Sequence, residues 1–441
     1  MSLISRLFSP KSTKNSDPNL LFGRYSDAYK TEAQQAAWNR SLLLFEEKRP
    51  LDAYREMLVF LRDEAVNNVT WTEDEKGLRF EFRQGSRRIT GHANRDTIKV
   101  ESRIAWVDEH KVNFMRRLVE QNFKLRYSRF ALSPDNCLVI VFDSSTRDGS
   151  PYKLVQAFME LALNADKQDD ILLEEFKALR PVAEAMEISP IPENERRVKV
   201  QYIRQEIQAI IDALEKAQPD PNRYPGGYVY LMLGTAFRLD YLVRPEGYMM
   251  DVLERVFRTY FTKDDKSPAV KVEAMKKLFL KIVDRPDEAL MTELYDTVST
   301  FGINPAVGHD RIQSLMDAEL PKMDWHLEQK HGEALQMAII RYAMGYALYH
   351  CAPPPPDRAY LHLLYRITDY RFFQSLGYAE SYHTPEGGLK KSAIEAAIKE
   401  VAEQWRGQFK KIKPDTNGLD YSSLPLFARS YLKMVRNLDL S

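Results

Sequence analysis

Strand-like alternation fills the first part of this chain and stops at Arg180-Pro181, and no other feature limits the fold as strongly. Leu78, Phe80 and Phe82 alternate with Arg79, Glu81 and Arg83, the mark of a half-buried antiparallel strand. Gln84-Gly85-Ser86 supplies a short turn. Ile89, then Ile98 and Val100, continue the sheet across a second turn at Ala93–Asp96. Val69–Thr72 begins the run, and Ile104–Val107 prolongs the last strand or adds another. Beyond Arg180-Pro181 the apolar residues are spaced by three and four, as in Ile203, Ile207, Ile210, Ile211 and Leu214, which is helical. Strands gathered in one segment and helices in another make this an α+β chain, not a doubly wound parallel sheet.

Three segments follow. Residues 1–50 read as an arm. Ser, Lys, Asn, Asp and Pro dominate Ser9–Asn19, and a docking helix over Ser26–Glu47 ends before Arg49-Pro50. Residues 51–180 read as an antiparallel sheet flanked by helices. Residues 181–441 read as a large all-α domain of roughly eight or nine helices, divided by Pro and Gly clusters from Pro219–Gly227 to Pro414–Gly418. Its expected helices include Met250–Phe261, Val270–Val283, Ala289–Phe301, Gln336–His350, Tyr360–Gly377 and Lys391–Lys410, with Ser189–Asn194 as the linker before them. No fixed repeat period appears, so the bundle is irregular.

Within the sheet segment, Leu51–Asn67 places Tyr54, Met57, Leu58, Leu61 and Ala65 on one helical face. Asp108 is expected to cap a helix over Glu109–Asn122 with Val112, Met115, Leu118 and Val119 inward. Two more strands, Leu125–Leu132 and Cys137–Phe142, are joined by Ser133–Asn136. Ser150 and Pro151 form an N-cap and N1 pair that opens a closing helix, and Ile171–Phe176 is a further amphipathic stretch.

The 441 residues suffice for two or three domains, and 44% hydrophobic residues can fill their cores. Lys+Arg and Asp+Glu stand at 63 each, which leaves no global electrostatic case for nucleic acid or an anionic membrane. The two cysteines, Cys137 and Cys351, are too few for a disulfide framework and suit a reducing cytoplasm. The N-terminus lacks the apolar run of a secretory signal. Ala334–Cys351 is the least charged long stretch, but it carries Arg341 and is short for a bilayer, so a buried bundle helix is expected.

The chemistry-bearing motifs are sparse. The run Asp143–Asp148 (DSSTRD) fails as an EF-hand loop, because Arg147 and Asp148 stand where an oxygen ligand and Gly are needed. A strand exit leading to a helix cap explains it better. His326 and His331, five apart, are expected to point apart and to make a poor metal site. His350 and His362 flank the four-proline turn. Arg341, among Met337, Ile339, Ile340, Tyr342 and Met344, needs a partner such as Asp369 or Glu333. No phosphate loop is present. Arg79, Arg83, Arg87, Arg88, Arg95, Arg126 and Arg129 lie near strands beside Tyr127 and Phe130, a weak argument for single-stranded nucleic acid. Glu81, Asp96 and Glu101 interrupt that patch.

The element order, with "NFMRRLVEQNFKLRYSRFALSPDNCLVIVFDSS" followed by "PYKLVQAFMELALNADKQDD", resembles the YbjN-like domain, which shares its fold with type III secretion chaperones. The resemblance covers about residues 51–176. It implies protein binding as a chaperone, adaptor or regulator, a homodimer, and no transferable catalytic residue. The chain is accordingly expected to be a bacterial cytoplasmic protein that recognises a protein partner without catalysis, metal or cofactor. Arg126, Tyr127, Arg129 and Phe130, alternating on a strand, are the candidate contacts. The rival expectations are an enzyme with a pocket around Arg341, His350 and His362 in the helical domain, and weak RNA binding on the arginine face.

Overall fold

A computed structural model describes residues 17–26, 28–216, 220–329 and 331–441, apart from the side chains of 169, 170 and 174. Ser9–Ser16 of the arm, and Pro219 of the first Pro/Gly cluster, lie outside the described residues. The fold is α+β. The chain divides into two compact units, and each draws on a distant piece of chain.

The sheet unit comprises residues 25–190 and 295–303. Helix α1 (Glu32–Glu46) opens on a capping box: Gln34 N–H donates to Thr31 Oγ1 and Thr31 N–H donates to Gln34 Oε1. Helix α2 (Pro50–Leu61) buries Ala53, Tyr54, Met57, Leu58 and Leu61. Four strands then form an antiparallel meander: β1 (Val69–Asp74), β2 (Gly77–Gln84), β3 (Arg87–Ala93) and β4 (Thr97–Val107). Helix α3 (Val112–Asn122) leads to β5 (Arg129–Leu132) and β6 (Cys137–Ser145). The order is β1-β2-β3-β4-β6-β5, and β7 (Leu179–Pro181) pairs with the end of β4 past a register irregularity between Arg103 and Ala105.

Helix α4 (Pro151–Glu175) covers one sheet face. Ser150 caps it, and the stretch expected as separate, Ile171–Phe176, is continuous with it up to Glu175. Phe158 anchors the layer, with ring centroids 5.6 Å from Phe80 and 5.7 Å from Phe82. Each such buried ring contributes ~1.5–3 kcal/mol. Opposite Phe80 stands Gly91, where a Cβ would lie 2.2 Å from the Phe80 ring. The absent side chain is what lets that ring lie flat on the sheet.

Residues 295–303 complete this unit. The helix expected over Ala289–Phe301 ends at Thr292, as α9 (Asp287–Thr292), and Tyr295–Asp296 instead forms β9. β9 pairs with β8 (Ser189–Pro190), inside the stretch expected as a linker. Further on, Thr300 N–H donates to Arg83 O at 2.9 Å. Phe301 N–H donates to Gln84 Oε1 at 2.9 Å, and its ring meets Phe82 edge-on at 5.8 Å.

The helical unit comprises residues 17–24, 191–294 and 304–441 among those described. Its helices are α5 (Glu193–Lys216), α6 (Pro225–Val243), α7 (Gly247–Phe261), α8 (Pro268–Val283), α9, α10 (His309–Glu328), α11 (Glu333–His350), α12 (Pro355–Thr368), α13 (Tyr370–Ser375), α14 (Lys391–Trp405) and α15 (Leu424–Arg436). Helices α6 and α11 are buried along most of their length. They approach closely through Gly234, set against the Tyr342 backbone, and Gly345, set against Phe237. Among the described residues no helix is long and apolar enough to cross a membrane.

Candidate functional site

Helix α3 departs from its expected start and rotation. Asp108 does not cap it, because both its carboxylate oxygens accept from Arg180 Nε at 2.9 Å. The helix begins three residues beyond Glu109, at Val112, with no side-chain cap. Its rotation is set at the other end. Asn122 Oδ1 accepts from Phe130 N–H at 2.7 Å, and Asn122 Nδ2 donates to Phe130 O at 3.1 Å. Phe114, Leu118 and Asn122 repeat every four residues and share one side of the helix. Docking Asn122 on β5 therefore turns Phe114 and Leu118 into the core, with the Phe114 ring edge-on to Phe176 at 5.4 Å.

The second apolar line of the helix is left in solvent. Val112, Met115, Val119 and Phe123 are 84%, 36%, 68% and 93% exposed. Val112, Met115 and Val119 had been expected inward with Leu118. Periodicity shows two apolar lines on this helix and does not say which one the core takes.

The turn that follows hangs on one carboxylate. Glu160 Oε2 accepts the N–H of Arg126 at 2.8 Å. Its Oε1 accepts the N–H of Tyr127 at 2.9 Å, and the N–H and hydroxyl of Ser128, both at 2.8 Å. Burial opposes the charged form, yet these donors outweigh it and hold the Glu160 carboxyl below its ordinary value. The turn occupies chain expected as strand, so β5 starts only at Arg129. The four candidate contacts consequently part. Arg126 and Tyr127 are exposed on the turn, Arg129 is exposed and ion-paired with Asp143, and Phe130 lies in the core. Tyr127, four residues after Phe123, is itself partly exposed.

The outer face of the meander is a shallow cup of about 550 Å³ lined by Thr70, Arg79, Glu81, Thr90, His92 and Lys99, among others. Its charges neutralise one another. Arg79 pairs with Asp74 at 3.6 Å, Lys99 with Glu101 at 2.6 Å, and Arg83 and Arg88 both with Glu187. Arg87 is fully buried. The DSSTRD run is likewise absorbed by the fold: Thr146 Oγ1 donates to Arg95 O at 2.7 Å, and Ser145 Oγ donates to Asp148 Oδ2 at 2.9 Å.

In the helical unit, among the described residues, Arg341 has no direct bond to Asp369 and its Nε has no hydrogen-bond partner. Arg238 takes that carboxylate instead, through Nη1 at 2.7 Å, and also pairs with Glu206. Tyr202 and Thr368 donate their hydroxyls to Asp369 at 2.8 and 2.7 Å. Burial disfavours the Asp369 carboxylate, but Arg238 and Arg341 outweigh it and keep its pKa lowered. Sequence reasoning passed over Arg238. The signal was present, because Arg238 sits in the apolar run YVYLMLGTAFRLDYLV as Arg341 does in its own.

His350 rests against Phe257 at 4.2 Å and Tyr346 at 4.6 Å, while His362 rests against Phe22 at 4.8 Å and bonds the Tyr241 hydroxyl through Nδ1 at 3.0 Å. No ring contact joins the two imidazoles or sets either beside Arg341 among the described residues. His326 and His331, expected to point apart, meet with their Nδ1 atoms 2.8 Å apart, since α10 ends at Glu328 and the chain folds back. Among the described residues no group of three His, Cys, Asp or Glu side chains is placed to hold a metal ion. No family model and no curated protein matches this chain.

Proposed function

We propose that the sheet unit is a protein-recognition module, chaperone-, adaptor- or regulator-like and non-catalytic, and that its docking surface is the outer line of α3 continued by Tyr127. The exposed line Val112, Met115, Val119 and Phe123 carries this reading. Four apolar side chains in register on a helix anchored from behind form a rigid surface, and leaving them in water forgoes burial worth ~25 cal/mol per Å². The turn held by Glu160 carries the exposed Arg126 and Tyr127 three and four residues beyond Phe123. The helical unit serves as the scaffold of the same chain.

A photo-crosslinking residue placed at Val119 or Phe123 tests the proposal in cells. A discrete protein adduct is expected at these positions and not at Glu75, an exposed turn residue on the meander. Equal labelling at all three positions, or none at Val119 and Phe123, would overturn it.

A further inference from the structure

Resting on that docking surface, we infer that its occupant is an acidic amphipathic helix laid alongside α3. The width of the apolar line is the first argument. Met115, Val119 and Phe123 repeat every four residues and Val112 stands one turn earlier, so the four fall within an arc of about 80° at 3.6 residues per turn. That is the narrow seam through which two helices pack. A helix lying in a bilayer interface presents a broader apolar face.

Charge is the second argument. From Lys111 to Tyr127 the chain carries Lys111, Arg116, Arg117, Lys124 and Arg126 against the single carboxylate Glu120. By helical spacing Arg116 flanks the seam, exposed Lys111 precedes Val112 at its start, and Lys124 and Arg126 follow Phe123 at its end. Lys111 pairs with Glu109 at 3.0 Å and Arg116 with Glu120 at 3.0 Å. Both are exposed pairs of the kind that contributes little and exchanges readily for a partner's carboxylates. Lys124 and Arg126 have no ion pair among the described residues. A second copy of this chain, laid seam to seam, would set these cations against their like. A partner with apolar residues on one line and Asp or Glu beside and at the ends of it meets the apolar and the basic features together.

Two synthetic helical peptides with the same leucine seam, one flanked by Glu and one by Lys, are titrated against the full chain. Vesicles of phosphatidylserine and phosphatidylcholine form a third arm, and sedimentation of the protein alone a fourth. The Glu-flanked peptide is expected to bind. Lys124→Glu with Arg126→Glu should weaken it about ten-fold or more, added salt should weaken it, and Val119→Asp should abolish it. Equal binding of both peptides would overturn the acidic character and leave the docking surface standing. Vesicle retention without peptide binding would assign the surface to a membrane, and a dimer dispersed by Val119→Asp would assign it to a second copy. Glu-peptide binding untouched by Val119→Asp and Phe123→Ser would remove both the inference and the docking surface. All these positions are exposed, so the variants should fold.

Discussion

The side-chain amide of Asn122 satisfies both backbone polar groups of Phe130, accepting its N–H at 2.7 Å and donating to its C=O at 3.1 Å. β5 is an outer strand of the sheet, and an outer strand with free backbone groups invites pairing with another chain. Asn122 closes that edge at Phe130 and at the same time fixes which line of α3 faces outward. Asn122→Ala is expected to cost ~1–3 kcal/mol, because two backbone groups lose their partners. It should also loosen the rotation of α3. Hydrogen exchange should show Phe130 N–H exposed and α3 protection reduced while β1 to β3 stay unchanged. A variant as stable as the wild type, with Phe130 still protected, would remove Asn122 from this role.

Glu160 makes the neighbouring turn sensitive to acid. Its folded carboxyl lies below the ordinary value of 4.5, so the unfolded chain binds a proton first as pH falls. Its contribution is fully present above about pH 4.5 and is lost as pH drops through the folded value. Urea midpoints measured between about pH 6 and pH 3 should fall less steeply for Glu160→Gln than for the wild type, because the amide cannot titrate. Parallel slopes would show that the four donors do not stabilise the charge.

How far the sequence disclosed this arrangement depends on the range of the interaction. Alternation at Leu78–Phe82 marked β2 correctly, since period-two burial is a local property. Ser150-Pro151 marked the start of α4 for the same reason. The rotation of α3 was hidden, because Asn122 and Phe130 meet through a side chain whose amide bonds no pattern encodes. The fate of Asp108 was hidden likewise, since its partner Arg180 lies 72 residues away. Residues 295–303 misled most. Helical spacing continues past Thr292, and distant partners, Asn68, Phe82, Arg83 and Gln84 among them, draw Thr300 and Phe301 into the sheet unit. Arg238 was legible by the reasoning applied to Arg341, but which arginine would take Asp369 was not.

Phe301 belongs to the sheet unit's core although the 104 residues Ile191–Leu294 intervene between Pro190, where the first piece ends, and Tyr295, where the second begins. Phe301→Ala should cost ~3–5 kcal/mol through the lost ring and the cavity left beside Phe82. A fragment of residues 25–190 should unfold at a lower denaturant concentration than the same unit in the full chain, and a peptide of residues 293–304 added in trans should raise its midpoint. A fragment indifferent to the peptide would show that the insertion adds nothing. Any binding assay on an isolated sheet module is therefore best run with these residues restored.

Removing the Asp369 carboxylate should be among the most damaging single changes in the helical unit. Arg238 is fully buried and has Asp369 and Glu206 as its partners. Asp369→Ala leaves the guanidinium with one carboxylate, strands the hydroxyls of Tyr202 and Thr368, and is expected to cost ~3–5 kcal/mol. Asp369→Asn keeps one acceptor oxygen for Arg238 and Tyr202 and loses the charge and the oxygen to which Thr368 donates, so it should cost less than Ala. Arg341 adds to the field on Asp369 without bonding it, so Arg341→Met should be milder than either. Denaturant melts of the three variants would establish the order Ala, Asn, Met from most to least damaged. If Arg341→Met proved the worst, Arg341 rather than Arg238 would be the counter-charge.

His350 and His362 give the helical unit its own dependence on pH. Burial among aromatic rings lowers His350 from 6.5 to about 4, and burial assisted by Arg366 lowers His362 to about 3. Both imidazoles are neutral in the folded protein while the unfolded chain charges them below about pH 6.5. Stability from these sites is therefore full above that pH and falls as pH drops from 6.5 toward 4. His362→Phe should lessen the acid loss, provided the ring's place beside Phe22 and Phe373 is kept and the Tyr241 hydroxyl finds water. Imidazole proton resonances followed by NMR should show no titration of either residue between about pH 8 and pH 5. A midpoint near 6.5 for His362 would mean that its pocket opens to solvent in the folded state and that the helix pairing around Tyr241 is looser than its contacts indicate.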